Sequence, residues 1–110
     1  SGRFHSLADS QYILTEYSSV SEFAFMLKMS KEVIFAGYIP VIAHVERYGC
    51  LVDDPDNIEE LRGMGAFIQV NADAVLGIDG RGAKKYTRLL LKRGLVDFIA
   101  SDSHGTKTRA

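Results

Sequence analysis

The sequence of 110 residues has one cysteine, no tryptophan and no marked excess of either charge. The single cysteine, Cys50, excludes an internal disulfide and the paired-cysteine spacings of structural zinc sites, which favours a reducing, cytoplasmic setting. With 13 basic and 14 acidic residues, nucleic acid and anionic membrane surfaces are not expected partners. No apolar run reaches the roughly 18 residues that a membrane helix needs, so membrane insertion is not expected either. The remaining composition, 46% hydrophobic and 25% charged, is typical of one ordinary globular domain.

Four short apolar runs alternate with longer segments of helical character, a pattern typical of repeated βα units. The predicted strands are residues 12–16, 41–43, 67–71 and 97–100. The first predicted helix has a capping box of Ser19 and Glu22 and a stop at Gly37. The second has Asp54 as cap, Pro55 at its first position and a stop at Gly63 or Gly65. The third covers residues 83–93 and stops at Gly94. The sequence therefore predicts an α/β fold.

Polar side chains follow each predicted strand. Strand, helix and strand in regular succession imply parallel pairing, so the carboxyl ends of the strands meet at one edge of the sheet. Ligands and catalytic groups gather just beyond that edge in such folds. The residues delivered there are Glu16, His44, Arg47, Asn71, Asp73, Asp102 and His104.

Three of these segments carry ligand-type residues, and each also has a simpler explanation. Asp102 and His104 lie two apart on an extended segment, and a carboxylate with an imidazole suits Mn, Fe or Zn, but a capped turn would show the same pattern. His44 and Arg47 could supply a metal ligand and a phosphate-binding cation, or a core histidine beside a surface ion pair. Glu16 ends its strand, where a carboxylate is more often solvated or ion-paired.

Taken together, the segments carry a resemblance to a known family. Residues 12–17 resemble a strand ending in a metal-ligand glutamate, and His44-Val45-Glu46-Arg47-Tyr48 is similar to a His-Pro-Glu-Arg-Tyr motif. Residues 67–72 resemble a Gln-Ile-Asn segment, and residues 94–104 resemble a closing metal motif. In this order they resemble the polymerase-and-histidinol-phosphatase (PHP) superfamily, most closely the manganese-dependent protein-tyrosine phosphatases of bacterial capsule operons. Val45 replaces the family's usual proline, which we expect to relax the local backbone without removing a ligand.

The resemblance implies a fold and a set of site residues. The implied metal ligands are Glu16, His44, Asp102 and His104, and the implied phosphate-binding residues are Arg47, which is also the candidate catalytic residue, and Arg109. The metal would be manganese, with iron or zinc as alternatives. The family carries a His-x-His strand and further ligands ahead of the matching part. We therefore expect residues 1–110 to be a single domain forming the C-terminal part of a distorted (βα)7 barrel, with exposed sheet edges that favour homo-oligomers.

The implied activity of the intact protein is hydrolysis of phosphotyrosine, on a bacterial tyrosine autokinase that controls polysaccharide export. The isolated chain is expected to be inactive. Two alternatives stay open: a related hydrolase acting on a small phosphate such as histidinol phosphate, and a non-catalytic interaction fragment. A cysteine-dependent phosphatase is excluded, because Asp56 stands where its phosphate loop requires arginine after Cys50. We interpret Cys50 as a loop thiol.

Overall fold

The computed structural model describes residues 11–101 in full and the backbone course of residues 3–6 and 107–109. These residues form a six-stranded sheet whose strand order follows the chain. The strands are β1 (Arg3–Ser6), β2 (Tyr12–Glu16), β3 (Ile39–Ile42), β4 (Phe67–Asn71), β5 (Phe98–Ala100) and β6 (Lys107–Arg109). The helices are α1 (Phe23–Phe35), α2 (Gly49–Val52), α3 (Asp56–Gly63), α4 (Ala72–Leu76) and α5 (Arg81–Lys92), with a 3₁₀ turn at Val45–Arg47.

The strands β2 to β5 are parallel to one another, which confirms the predicted α/β fold of repeated βα units. Each strand pairs with the next one along the chain, as in a segment of a barrel wall. The short strands β1 and β6 pair antiparallel with β2 and β5. The edges that the sequence analysis expected to be open are therefore paired within the described chain, and the outermost strands are β1 and β6.

The helices pack on one face of this sheet. The core between helices and sheet contains side chains that are fully buried, among them Met26, Ile42, Ile58, Leu61, Ile68 and Leu90. On β4 and β5, the residues next to the core positions point to the opposite face of the sheet, because side chains alternate along a strand. There the half-buried rings of Tyr12, Phe67 and Phe98 contact one another, with centroids 5.2 to 6.2 Å apart. No helix of the described residues is long and apolar enough to cross a membrane.

The start of α1 differs from the predicted capping box. Glu22 is the N-cap and makes no side-chain capping bond. Ser18 and Ser21 form a local turn instead: the Ser21 N–H donates to the Ser18 carbonyl at 3.0 Å, and the Ser18 N–H donates to Ser21 Oγ at 3.1 Å. The Ser19 carbonyl accepts from the Gly49 N–H at 3.1 Å. The capping box was therefore wrong, because these serines serve the loop between β2 and α1.

The other two predicted helices are present with shifted bounds. The helix α3 begins at Asp56 with Pro55 as its N-cap, so the cap predicted at Asp54 and the first position predicted at Pro55 were each one residue early. The Asp54 carboxylate still accepts from the Asp56 N–H at 3.1 Å. The helix ends at Gly63 as predicted. The helix α5 begins at Arg81, two residues before the predicted start, and Gly94 follows it with φ +72°, a conformation in which glycine avoids the Cβ clash.

Asp97 joins α3 to the amino ends of β4 and β5. Its carboxylate accepts from the Arg62 guanidinium at 3.0 and 3.3 Å and from the Ile68 N–H at 2.8 Å. Its own N–H donates to the Ile68 carbonyl at 2.8 Å. The strand predicted to begin at Asp97 begins one residue later, at Phe98. Asp97 lies at the opposite end of the strands from the polar residues discussed next.

Candidate functional site

Glu16 and His44 meet at the carboxyl ends of two neighbouring parallel strands. Thr15 of β2 lies opposite Ile42 of β3, and the Ala43 N–H extends this pairing to the Thr15 carbonyl at 3.0 Å. Glu16 and His44, which follow these paired residues, therefore lie next to each other. His44 Nε2 lies 3.3 Å from Glu16 Oε1, with 18% of the His44 side chain and 32% of the Glu16 side chain exposed. This contact is the centre of the candidate site.

His44 has a left-handed backbone, with φ 37° and ψ 59°. Among the described residues it is the one non-glycine residue with positive φ. This conformation costs about 1–2 kcal/mol for a residue with a Cβ. It turns the chain from β3 directly into the 3₁₀ turn, whose first residue, Val45, is fully buried. His44 therefore has an energetically unfavourable backbone conformation at the position from which its side chain contacts Glu16.

Tyr48 packs behind the Glu16 and His44 pair. Its ring centroid lies 5.4 Å from that of His44 and 5.9 Å from that of Tyr17. Its hydroxyl oxygen accepts a hydrogen bond from the Tyr17 N–H at 3.1 Å. Burial raises the pKa of Tyr48 well above its usual range, and the nearby carboxylates of Glu16 and Glu46 act in the same direction. The phenol is therefore neutral at any physiological pH.

Glu46 is a half-buried carboxylate to which the sequence analysis gave no role. Its Oε1 accepts from the Asn71 N–H at the end of β4, at 3.4 Å, while Oε2 is buried. Burial raises the pKa of Glu46, and the hydrogen bonds together with the charges of His44 and Arg47 partly offset this. Its position between His44 and Arg47 in the motif was the feature of the sequence that could have indicated a role for Glu46. Glu46 links the 3₁₀ turn to the next strand end.

Several buried polar atoms collect at this edge without hydrogen-bond partners among the described residues. They are His44 Nδ1, Glu46 Oε2 and Asn71 Nδ2. A buried polar atom left unpaired costs about 1–3 kcal/mol, and native proteins contain few of them. An imidazole beside a carboxylate is a donor set that suits Mn, Fe or Zn, so the two residues present fit a divalent metal. Within residues 11–101 no group of three or more His, Cys, Asp or Glu could hold a metal ion, so Glu16 and His44 would be part of a larger ligand set.

Arg47 ends the 3₁₀ turn and is exposed. Its N–H donates to the His44 carbonyl at 3.0 Å, which fixes its backbone relative to the histidine. Asn71 ends β4 and Asp73 lies in the first turn of α4, so both follow the same edge. The guanidinium is permanently charged and offers paired donors to phosphate oxygens.

The other predicted site residues are less fully described. Asp102 and His104 lie outside the described residues, so their convergence with Glu16 and His44 stays a prediction. Arg109 lies in β6, where its Cα is opposite Phe98 at the start of β5. The structure therefore brings together two of the four predicted metal ligands, with Arg47 on the turn that follows one of them.

Comparison with known proteins decides the family. A sequence profile described as capsular polysaccharide synthesis, CpsB/CapC, matches residues 1–110. The chain belongs to the CpsB/CapC family. This confirms the resemblance to the capsule-operon members of the PHP superfamily that the motifs indicated.

Curated relatives in the CpsB/CapC family are tyrosine-protein phosphatases by name. The chain is 35% identical over 104 residues to tyrosine-protein phosphatase YwqE of Bacillus subtilis (strain 168), which covers 94% of the chain and 41% of YwqE. It is 34% identical over 108 residues to tyrosine-protein phosphatase CpsB of Streptococcus pneumoniae, covering 94% of the chain and 44% of CpsB. The chain thus spans about two fifths of the length of these relatives.

The fold agrees with a solved structure of the same family. Crystal structures of YwqE from Bacillus subtilis and CpsB from Streptococcus pneumoniae, described as unique metal-dependent tyrosine phosphatases, include a match with a TM-score of 0.82 at 33% identity. The match covers 92% of this chain and 41% of the solved chain. The fold of this CpsB/CapC chain is therefore similar to a part of that larger chain.

Proposed function

We propose that this chain is part of a metal-dependent protein-tyrosine phosphatase that acts in capsular or exopolysaccharide synthesis. The contact between Glu16 and His44 at the carboxyl edge of the parallel sheet carries the proposal, because it pairs two metal-ligand groups in a chain of the CpsB/CapC family. The names of YwqE and CpsB supply the reaction. Residues 1–110 would form one domain, the C-terminal part of a PHP-type barrel.

Four residues would hold the metal: Glu16, His44, Asp102 and His104. The pair in the described part supplies one nitrogen and one carboxylate, a combination compatible with manganese, which we favour, and with iron or zinc. A bound divalent metal would supply Lewis-acid activation of the attacking water. Glu46 and Tyr48 would keep the 3₁₀ turn and the strand ends in place around these ligands.

Arg47 would bind the phosphoryl group. Arg109, the second candidate from the sequence, has less support, because its Cα lies opposite Phe98 at the amino end of β5. A guanidinium beside the reacting phosphate neutralises charge on its equatorial oxygens as the leaving group departs. Removing one such preorganised donor from other enzymes costs about 100- to 1,000-fold in kcat. Arg47 lies on the turn next to His44, so one short segment would deliver both a metal ligand and a phosphate contact.

The proposed substrate is a phosphotyrosine protein, with a bacterial tyrosine autokinase of polysaccharide export as the partner. We also propose a cytoplasmic location, because a chain with one cysteine suits a reducing compartment. Self-association is also proposed, now through the outer edges of β1 and β6, since unpaired strand edges favour pairing between copies.

The experiment that tests the function compares substrates on the full-length gene product. We expect manganese-dependent hydrolysis of a phosphotyrosine peptide, loss of that activity with a chelator, and little hydrolysis of histidinol phosphate. Preference for histidinol phosphate would support the small-phosphate alternative. Absence of both activities, with no bound metal, would contradict the proposed function.

A further inference from the structure

Tyr48 contacts His44 and the residue that follows Glu16. Its hydroxyl oxygen accepts from the Tyr17 N–H, and Tyr17 immediately follows Glu16. Its ring contacts the His44 ring at 5.4 Å with the planes tilted by 50°. The hydrogen bond therefore holds the peptide bond next to Glu16, and the ring supports the imidazole of His44.

Tyr48 is itself held firmly. Its N–H donates to the Val45 carbonyl at 3.2 Å, and its own carbonyl accepts from the Leu51 and Val52 N–H groups at 3.0 and 2.9 Å. The ring lies edge-on to Tyr17 and is 1% exposed. Because its backbone is hydrogen-bonded and its ring is closely packed, Tyr48 can hold the residues that it contacts in fixed positions.

We infer that Tyr48 is a positioning residue that holds Glu16 and His44 in one geometry for binding a divalent metal. This inference rests on the proposed function and adds to it a residue that does not touch the metal. Groups that orient metal ligands commonly change metal affinity by about 10- to 100-fold when they are removed. Tyr48→Phe tests the hydroxyl by itself, because it removes the hydrogen bond to the Tyr17 N–H and keeps the ring beside His44.

Tyr86 offers a matched control. It is also a buried tyrosine whose hydroxyl bonds to the backbone, since its O–H donates to the Leu51 carbonyl at 2.7 Å. It joins α5 to α2 and contacts neither Glu16 nor His44 in any described bond or ring pair. Tyr48→Phe and Tyr86→Phe therefore remove the same chemical group, one beside the pair and one away from it. We expect each to lower Tm by a similar amount, about 4–8 °C.

The experiment uses the 110-residue chain and two NMR measurements. In metal-free protein, Tyr48→Phe should speed hydrogen exchange of the Tyr17 amide by about 10-fold or more, beyond any general change seen in Tyr86→Phe. In a Mn²⁺ titration that follows broadening of the His44 ring signals, Tyr48→Phe should bind about 10-fold more weakly, and Tyr86→Phe should stay within about twofold of the wild type.

Equal Mn²⁺ affinity and equal Tyr17 exchange in the two variants would overturn the inference, because Tyr48 would then be a structural residue like Tyr86. Failure of the proposed function would look different. If the wild-type chain bound no Mn²⁺ at His44, the metal site would be wrong, while the Tyr17 exchange in metal-free protein would still decide whether Tyr48 holds the strand end beside Glu16.

Discussion

A single left-handed residue determines how the candidate site is built. His44 follows β3 by two residues and has a left-handed backbone; its imidazole lies beside Glu16, and the next residue, Val45, lies in the core. An extended His44 would carry the following turn away from the strand end. The sequence indicated His44 as a ligand but could not show this backbone, because a positive φ in a non-glycine residue depends on surrounding contacts.

The proposed function predicts separable effects of Arg47 and His44 in the full-length protein. Arg47→Ala should retain the metal and lower kcat/KM about 100-fold or more, because a guanidinium stabilises phosphoryl charge and has no lone pair for a cation. His44→Ala should lose both metal and activity. Metal stoichiometry and phosphopeptide kinetics, measured side by side, check this, with the exposed Lys92→Ala at the far end of α5 as control. Metal loss in Arg47→Ala would show that Arg47 has another role.

Cys50 should be unreactive and dispensable for catalysis. It lies in the first turn of α2 and not in a loop as interpreted from sequence, and its thiol donates to Met26 Sδ at 3.8 Å. Burial raises the pKa of the thiol, so less thiolate is present at a given pH and alkylation at pH 8 should be slower than for free cysteine. The rate should rise with pH until the raised pKa is passed. Cys50→Ala should keep kcat/KM within about twofold; a large loss would favour cysteine chemistry.

The elements that sequence patterns predict well are those with a strong local signal. β2 and β4 have the predicted bounds, because each is a compact apolar run closed by a polar residue. β3 begins at Ile39, two residues early, because Ile39 pairs with Tyr12 across the sheet. The short helices α2 and α4 and the edge strands β1 and β6 were not predicted, since elements of three to five residues are decided by tertiary contacts.

Asp97 should be the most sensitive polar residue at the amino ends of the strands. Asp97→Ala would remove two bonds from Arg62 and one from the Ile68 N–H, and should lower the free energy of unfolding by about 2–3 kcal/mol. Arg93→Ala is the matched control, because Arg93 also bonds two carboxylates, Asp56 and Glu59, but on the exposed surface. Urea unfolding of both variants checks this. An equal loss in the two would show that the bond to the backbone amide adds nothing.

At the level of the whole molecule, we propose that the chain supplies part of a metal site. Its described residues contribute Glu16 and His44, and the chain spans about two fifths of YwqE and CpsB. A partial ligand set holds metal weakly, because affinity depends on the number and geometry of the ligands. The motifs indicated the family, which the profile match confirms, but they do not show how many metal ligands lie outside residues 1–110.

The isolated chain should therefore have little phosphatase activity, even where the full-length protein is active with manganese. The measurement is manganese-dependent hydrolysis of a phosphotyrosine peptide by both proteins at equal concentration, repeated over a range of concentrations of the 110-residue chain. Turnover by the chain comparable to that of the full-length protein, and independent of concentration, would contradict this expectation. Activity that rises steeply with concentration would indicate that a second copy completes the site.

The central claim is that a divalent metal binds at the carboxyl edge of the sheet, and the three histidines of the chain allow a direct test. Mn²⁺ broadens the NMR signals of imidazoles close to it. On titration of the chain, we expect the strongest early broadening at His44 and His104, weaker broadening at His5, whose Cα lies opposite Leu14 of β2, and loss of the His44 effect in Glu16→Gln. Broadening at His5 that is as strong as at His44, or a His44 response unchanged by Glu16→Gln, would contradict it.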